Sequence, residues 1–127
     1  DKNGGLGDLI EKKNGKELNQ VTISSENMNL IKEGFYQVVH GNNAFTTGQT
    51  IAQGEAVPIS AKTGTAETFV NNGQQAINTN VVAYAPSNNP KIAVAVVFPH
   101  NTNLSSTVSH SMTRDIINLY NQLHPMN

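Results

Sequence analysis

The run Ile92-Ala93-Val94-Ala95-Val96-Val97-Phe98 constrains the fold of this chain more than any other stretch. It shows no polar alternation and lies between Pro90 and Pro99. A half-buried strand alternates apolar and polar side chains, so a strand without alternation needs cover on both faces. The run from Lys91 to Phe98 therefore predicts a central strand stopped by Pro99, with a neighbour on each side. Asn80 to Ala85 reads as a second strand, stopped by Pro86-Ser87-Asn88-Asn89-Pro90. A link of five residues makes an antiparallel hairpin the simplest arrangement of these two. Val57 to about Thr68 reads as a further strand, joined through the turn signal Asn71-Asn72-Gly73. The strand ending at Phe98 then has an obvious partner on one side only. The pattern predicts that further strands come from an absent N-terminal part or from another chain.

Helices are expected around this sheet. Ser24 or Ser25 offers an N-cap, and a helix should run from about Glu26 to His40. Met28, Ile31, Phe35, Val38 and Val39 form its apolar stripe, and Gly41 is the expected C-terminal stop. Gly34 stands inside this helix, where close packing against a neighbour would explain it. Gly41 to Glu55 reads as a loop rich in Asn, Thr and Gly, long enough to suggest a function. A last helix should run from about Thr107 to Leu123, with Val108, Met112, Ile116, Leu119 and Leu123 on its main stripe and Ile117 and Tyr120 flanking it. Before all this, Leu6, Leu9 and Ile10 could form one helical turn, and Glu11 to Glu17 reads as an exposed turn. The class is α+β: an antiparallel sheet flanked by helices.

The totals exclude several functions. A chain of 127 residues is enough for one domain. A net charge of −1 gives no electrostatic case for nucleic acid or an anionic membrane surface. The longest apolar run is far short of the ~20 residues that span a bilayer. The lack of cysteine removes disulfides, thiolate metal sites and a Cys nucleophile. No starting Met or signal peptide is present, and Asp1 to Gly5 reads as the middle of a loop. The chain therefore reads as a piece of a longer protein, though a processed N-terminus would look the same.

The chemistry concentrates in Lys62-Thr63-Gly64-Thr65-Ala66-Glu67, following Val57-Pro58-Ile59-Ser60-Ala61. Strand alternation puts Thr63 and Thr65 on one face and Lys62 and Gly64 on the other. Two hydroxyls two residues apart make a short donor row suited to a carboxylate. Gly64 removes a side chain where another element could approach. The arrangement suggests a cleft between this strand and a helix, with a free strand edge to which a peptide could add. A Lys-Thr-Gly tripeptide also arises by chance at roughly 1 in 8000 positions, and by itself it reads more readily as an exposed strand end than as a site. A phosphate loop is rejected, because Ala61 and Ala56 stand where its glycines belong. His40, His100, His110 and His124 show no metal-ligand spacing and no paired carboxylate, so they read as surface or capping residues. Ser25-Glu26-Asn27 and Ser87-Asn88-Asn89 match Ser-x-Asn but read as a cap and a turn, and no Ser-x-x-Lys occurs.

Lys62-Thr63-Gly64-Thr65-Ala66 after an apolar strand resembles the third motif of the penicillin-binding proteins and serine β-lactamases. Asn78 to Pro86 is similar to the next strand of the class B penicillin-binding proteins. Ile92 to Asn103 and Arg114 to Tyr120 resemble the end of their transpeptidase domain, and Glu33 to Gly41 the helix before the third motif. The match covers about Val21 to Asn127. It implies the C-terminal part of a D,D-transpeptidase domain (residues 1–127), whose parent cross-links peptidoglycan stem peptides ending in D-Ala-D-Ala and is acylated by β-lactams. The implied fold places the motif strand at the edge of the cleft. Carried across, Lys62 binds the substrate or antibiotic carboxylate and assists proton transfer. Thr63 and Thr65 hold that carboxylate, and the Thr65 N–H is one of two oxyanion donors. Gly64, Ala66 and Glu67 complete the binding wall. Neither metal nor cofactor is implied.

The family's nucleophilic Ser, its Ser-x-x-Lys and its Ser-x-Asn lie upstream of the matched segment. The chain by itself is therefore expected to be inactive, with the missing part of the same domain as its partner and the cell-wall synthesis machinery as a further one. The family's membrane anchor, also outside this chain, implies the outer face of the bacterial cytoplasmic membrane. Ala61 stands where the family usually has Gly, and Glu67 where many members have Gln. Other readings are a fragment of a serine β-lactamase or β-lactam sensor, or a non-catalytic peptide-binding fragment.

Overall fold

The structure is a computed structural model that describes residues 19–126. The helical turn and exposed turn expected before residue 18 lie outside the described residues. The element order is α1 (Ser25–His40), α2 (Gln49–Ala52), β1 (Ser60–Phe69), β2 (Gln75–Ala85), β3 (Ile92–Asn101) and α3 (Val108–Leu123).

The three strands form one antiparallel sheet in the order β1-β2-β3, so the β2–β3 hairpin forms as expected. Among the described residues β2 is central, and β3 has one neighbour and one open edge. Its two faces also differ. Ile92, Val94, Val96 and Phe98 are buried or half-buried, whereas Ala93, Ala95 and Val97 are exposed. The absence of alternation in this run therefore exceeds what the described residues cover.

Three strand ends differ from expectation: β1 begins at Ser60 rather than Val57, and the other two belong to β2 and β3. β2 begins at Gln75, directly after the turn at Gly73, whose φ of 77° is the left-handed conformation that glycine accepts readily. β3 continues through Pro99 to Asn101. The register shifts between Ile77 and Thr79, and Asn78 Oδ1 accepts the N–H of His100, which has φ 51°. The strand passes the proline at a bulge, where a missing N–H removes nothing from the ladder.

α1 starts where Ser24 Oγ accepts the Asn27 N–H at 3.2 Å, an N-cap bond worth about 1 kcal/mol. It ends at Gly41, but with extended backbone (φ −65°, ψ 172°) rather than the left-handed cap. Gly41 is needed for space, since a Cβ there would fall against Thr46 Oγ1 and within 2.5 Å of Gln37 O. Gly34, by contrast, has nothing within 4 Å of a Cβ position, so no described neighbour accounts for it. The long loop after α1 contains α2, a single helical turn too short to leave a periodic pattern.

The core gathers on one face of the sheet. Val39, Ile51, Val57, Ile59, Ala61, Val81, Ala83 and Ile117 are buried together. α3 presents Ser109, Thr113 and Ile117 to it, not the stripe richest in apolar residues. Met112, Ile116, Leu119 and Leu123 are exposed, Leu123 by 67%. Small side chains let the helix approach the sheet closely, and Thr113 Oγ1 donates back to Ser109 O at 2.7 Å, which satisfies its buried hydroxyl. α1 packs on β1, and Phe35 reaches Tyr84 on the opposite sheet face with ring centroids 5.9 Å apart.

Candidate functional site

The approach to the motif strand is held by backbone hydrogen bonds at nearly every residue. Arg114 Nη1 donates to Gln53 O and Asn118 Nδ2 to Gly54 O, each at 2.8 Å, while Asn118 Oδ1 accepts the Ala56 N–H at 2.8 Å. The polar face of α3 thus fixes the segment that leads into β1. Glu55 Oε2 accepts the Ile59 N–H at 2.9 Å, and His40 Nε2 lies 3.1 Å from Ile59 O. His40 and Glu55 are 3.5 Å apart, and the His40 ring stacks on Tyr36 at 4.3 Å. His40 therefore has a carboxylate partner that its sequence neighbourhood does not reveal, since 15 positions separate the two. Burial raises the Glu55 carboxyl above its ordinary value, against the opposing pull of the Ile59 N–H and of His40.

From Ser60 onward the strand pairs with β2 in the register Lys62↔Val82, Thr63↔Val81, Gly64↔Asn80 and Thr65↔Thr79. That register puts Thr63 and Thr65 on the core face and Lys62 and Gly64 on the other. β1 is an edge strand, paired only with β2 among the described residues. Lys62, Gly64, Thr65, Ala66 and Glu67 are exposed and Thr63 is half-buried. All six motif residues thus sit on one accessible strand edge.

The Lys62 ammonium turns back on its own strand and donates to Thr63 O at 2.5 Å. An exposed lysine in such a contact is free to turn to a better acceptor, since a carboxylate forms a charge-assisted bond and a neutral carbonyl does not. Thr63 Oγ1 lies 2.6 Å from Thr47 Oγ1, a residue of the loop between α1 and α2 that sequence reasoning did not single out. A Cβ on Gly64 would stand 3.8 Å from Asn80 Cβ, an ordinary contact, so no described element crosses this glycine closely. Ala61, by contrast, is wholly buried. Its methyl group belongs to the core rather than to the accessible edge.

The other histidines lie elsewhere. His110 Nδ1 is 2.8 Å from Thr50 Oγ1, bridging α3 and α2, and burial lowers its pKa. His100 belongs to the bulge, and His124 packs on Tyr120 at 4.9 Å. A cavity of about 420 Å³ opens between α1 and the start of β1, lined by Lys32, Glu33, Tyr36, Ser60 and Ser87. It ends two residues short of Lys62. Ser87 is the turn residue expected there: its N–H donates to Pro58 O, and its hydroxyl accepts from Ser60 at 2.9 Å.

Comparison with known proteins gives a consistent picture. The penicillin binding protein transpeptidase domain matches residues 3–118. Penicillin-binding protein 2B of Streptococcus pneumoniae is 60% identical over 124 residues, covering 98% of this chain and 18% of that protein. Penicillin-binding protein 2A of Bacillus subtilis is 31% identical over 128 residues, covering 94% of this chain and 17% of the relative. A solved structure of penicillin-binding protein 2B from Streptococcus pneumoniae superposes with a TM-score of 0.84 at 59% identity, covering all of this chain and 20% of the other. The chain thus spans about a fifth of the length of these relatives.

Proposed function

The chain belongs to the penicillin-binding protein transpeptidase family, and we propose that it supplies the Lys-Thr-Gly wall of the active site in a peptidoglycan D,D-transpeptidase that β-lactams acylate. The observation that carries this reading is the placement of Lys62-Thr63-Gly64-Thr65 on the exposed edge strand of the sheet. The relatives' shared name, penicillin-binding protein, favours this reading over a β-lactamase fragment.

The geometry supports a division of labour. A stem peptide ending in D-Ala-D-Ala and a β-lactam both bring a carboxylate and a reactive carbonyl. Lys62 leaves Thr63 O and pairs with the carboxylate, while the Thr63 and Thr65 hydroxyls donate to it. The Thr65 N–H is one of two donors to the oxyanion that forms when the carbonyl is attacked, an interaction typically worth ~3 kcal/mol in the transition state. Lys62 also assists proton transfer. Gly64 leaves the backbone bare beside the ligand, and Ala66 and Glu67 extend the wall. The attacking Ser, with its Ser-x-x-Lys and Ser-x-Asn companions, belongs to the part of the domain outside this sequence. So does the second oxyanion donor, and an N-terminal anchor, also outside this sequence, would hold the parent protein at the outer face of the cytoplasmic membrane. No helix among the described residues is long and apolar enough to cross a membrane.

The test is labelling with a fluorescent penicillin. The complete transpeptidase domain should form a long-lived acyl-enzyme, and Lys62→Ala should slow its formation by about a hundredfold, the cost of leaving one member of a charged pair without its partner. The 127-residue chain by itself should not label. Stoichiometric labelling of that chain, or rapid deacylation of the complete domain, would overturn the reading.

A further inference from the structure

The loop between α1 and α2 is bonded to itself and to the end of α1. Asn43 accepts twice: its Oδ1 from the Phe45 N–H at 2.9 Å and its carbonyl from the Thr46 N–H at 3.0 Å. The Gly48 N–H donates to Val38 O at 2.8 Å, and the Gly41 N–H to Gln37 O at 2.9 Å. Both glycines permit this closeness: a Cβ on Gly48 would sit 3.1 Å from Val38 O, and one on Gly41 would overlap Gln37 O. The loop is therefore fixed at both ends to the last turn of α1. Out of it Thr47 reaches β1, with its Oγ1 2.6 Å from Thr63 Oγ1.

A hydroxyl has one proton and two lone pairs, whereas a carboxylate only accepts. If Thr63 spends its proton on Thr47, it has none for a ligand. If Thr47 is the donor, the Thr63 proton is free, and the bond it receives polarises it further. A carboxylate on Thr63 therefore requires the order Thr47 O–H to Thr63 Oγ1, then Thr63 O–H to the carboxylate oxygen. We infer that Thr47 is a positioning residue of the anion clamp, acting through Thr63 and fixing its proton toward the ligand. This rests on the reading of Thr63 as a carboxylate donor.

The experiment separates the dissociation constant of the pre-covalent benzylpenicillin complex from the acylation rate constant, in the complete transpeptidase domain. Thr47→Val keeps the side-chain shape and removes the donor. It should raise the dissociation constant roughly five- to tenfold, the weight of one hydrogen bond, and leave the acylation rate constant unchanged. Thr47→Ser should restore binding, and Thr47→Ala should reproduce the loss if the valine variant folds poorly. In the Thr63→Val background, Thr47→Val should add nothing. An unchanged dissociation constant in Thr47→Val, or an equal loss in the Thr63→Val background, overturns the inference. If Thr63→Val leaves binding intact, the clamp reading itself fails, and the inference with it.

Discussion

Ile59 and Ala61 have no exposed surface, whereas Lys62, Gly64, Thr65, Ala66 and Glu67, which follow directly, are exposed. The first segment is buried against α1, α2 and α3 and held by Glu55, His40 and Asn118 through its backbone. The second is paired with β2 and, through Thr63, meets Thr47 of the loop after α1. The difference shows how one strand serves two demands. Burial and backbone bonds fix the root, and a strand is stiff enough to transmit that position to the tip. The tip is then free to carry whatever side chains its chemistry needs, already placed before a ligand arrives.

The contrast makes opposite demands on substitutions in the two halves. Ile59→Ala should cost the complete domain about 3 kcal/mol in urea unfolding, through lost burial and the cavity left behind. A loss below about 1 kcal/mol would mean that the root is not what fixes the strand. Gly64→Ala should leave stability within about 0.5 kcal/mol, because the new methyl meets only an ordinary contact at Asn80. Acylation by penicillin should nevertheless slow by about tenfold, because the methyl stands beside Lys62 on the accessible strand edge and crowds the path of its ammonium to the ligand. Unchanged acylation would show that the tip does not rely on a bare backbone there.

The smallest effect is expected at Glu55. Burial raises its folded-state pKa above the ordinary 4.5, so folding favours the protonated form. Its stabilising contribution is complete below the unfolded value and declines as pH rises through the raised folded one. Glu55→Gln keeps an acceptor for the Ile59 N–H and should abolish that decline. Urea midpoints at about pH 4 and about pH 7.5 test it: the native protein should lose ground to the variant at the higher pH. The reverse result would make the root an ionic clamp to His40 rather than a packed one.

Much of this was legible in the residues because local rules decided it. Ser24 capped its helix, Pro86 and Pro90 bounded the β2–β3 turn, Gly73 marked the turn before β2, and alternation sorted Lys62 from Thr63. The misreadings arose where tertiary contacts outweighed local pattern. Counting apolar residues put Met112, Ile116, Leu119 and Leu123 on the buried side of α3, yet close approach to the sheet selected Ser109 and Thr113. Pro99 was expected to end its strand, but Asn78 supplies an acceptor at the bulge, and pairing resumes beyond it. His40 and Glu55, and Thr47 and Thr63, meet only because the chain folds back, and neither pair leaves a spacing signature.

The register between β1 and β2 also governs how such a site can vary over evolutionary time. Each residue of β1 has a fixed partner from Ser60↔Tyr84 to Phe69↔Gln75. Adding or deleting one codon just before Lys62 would reverse the sides of every residue after it, turning the ammonium toward the core face and the Thr63 and Thr65 hydroxyls away from it. Descendants of this sequence can therefore trade one motif side chain for another, but they inherit its length unchanged.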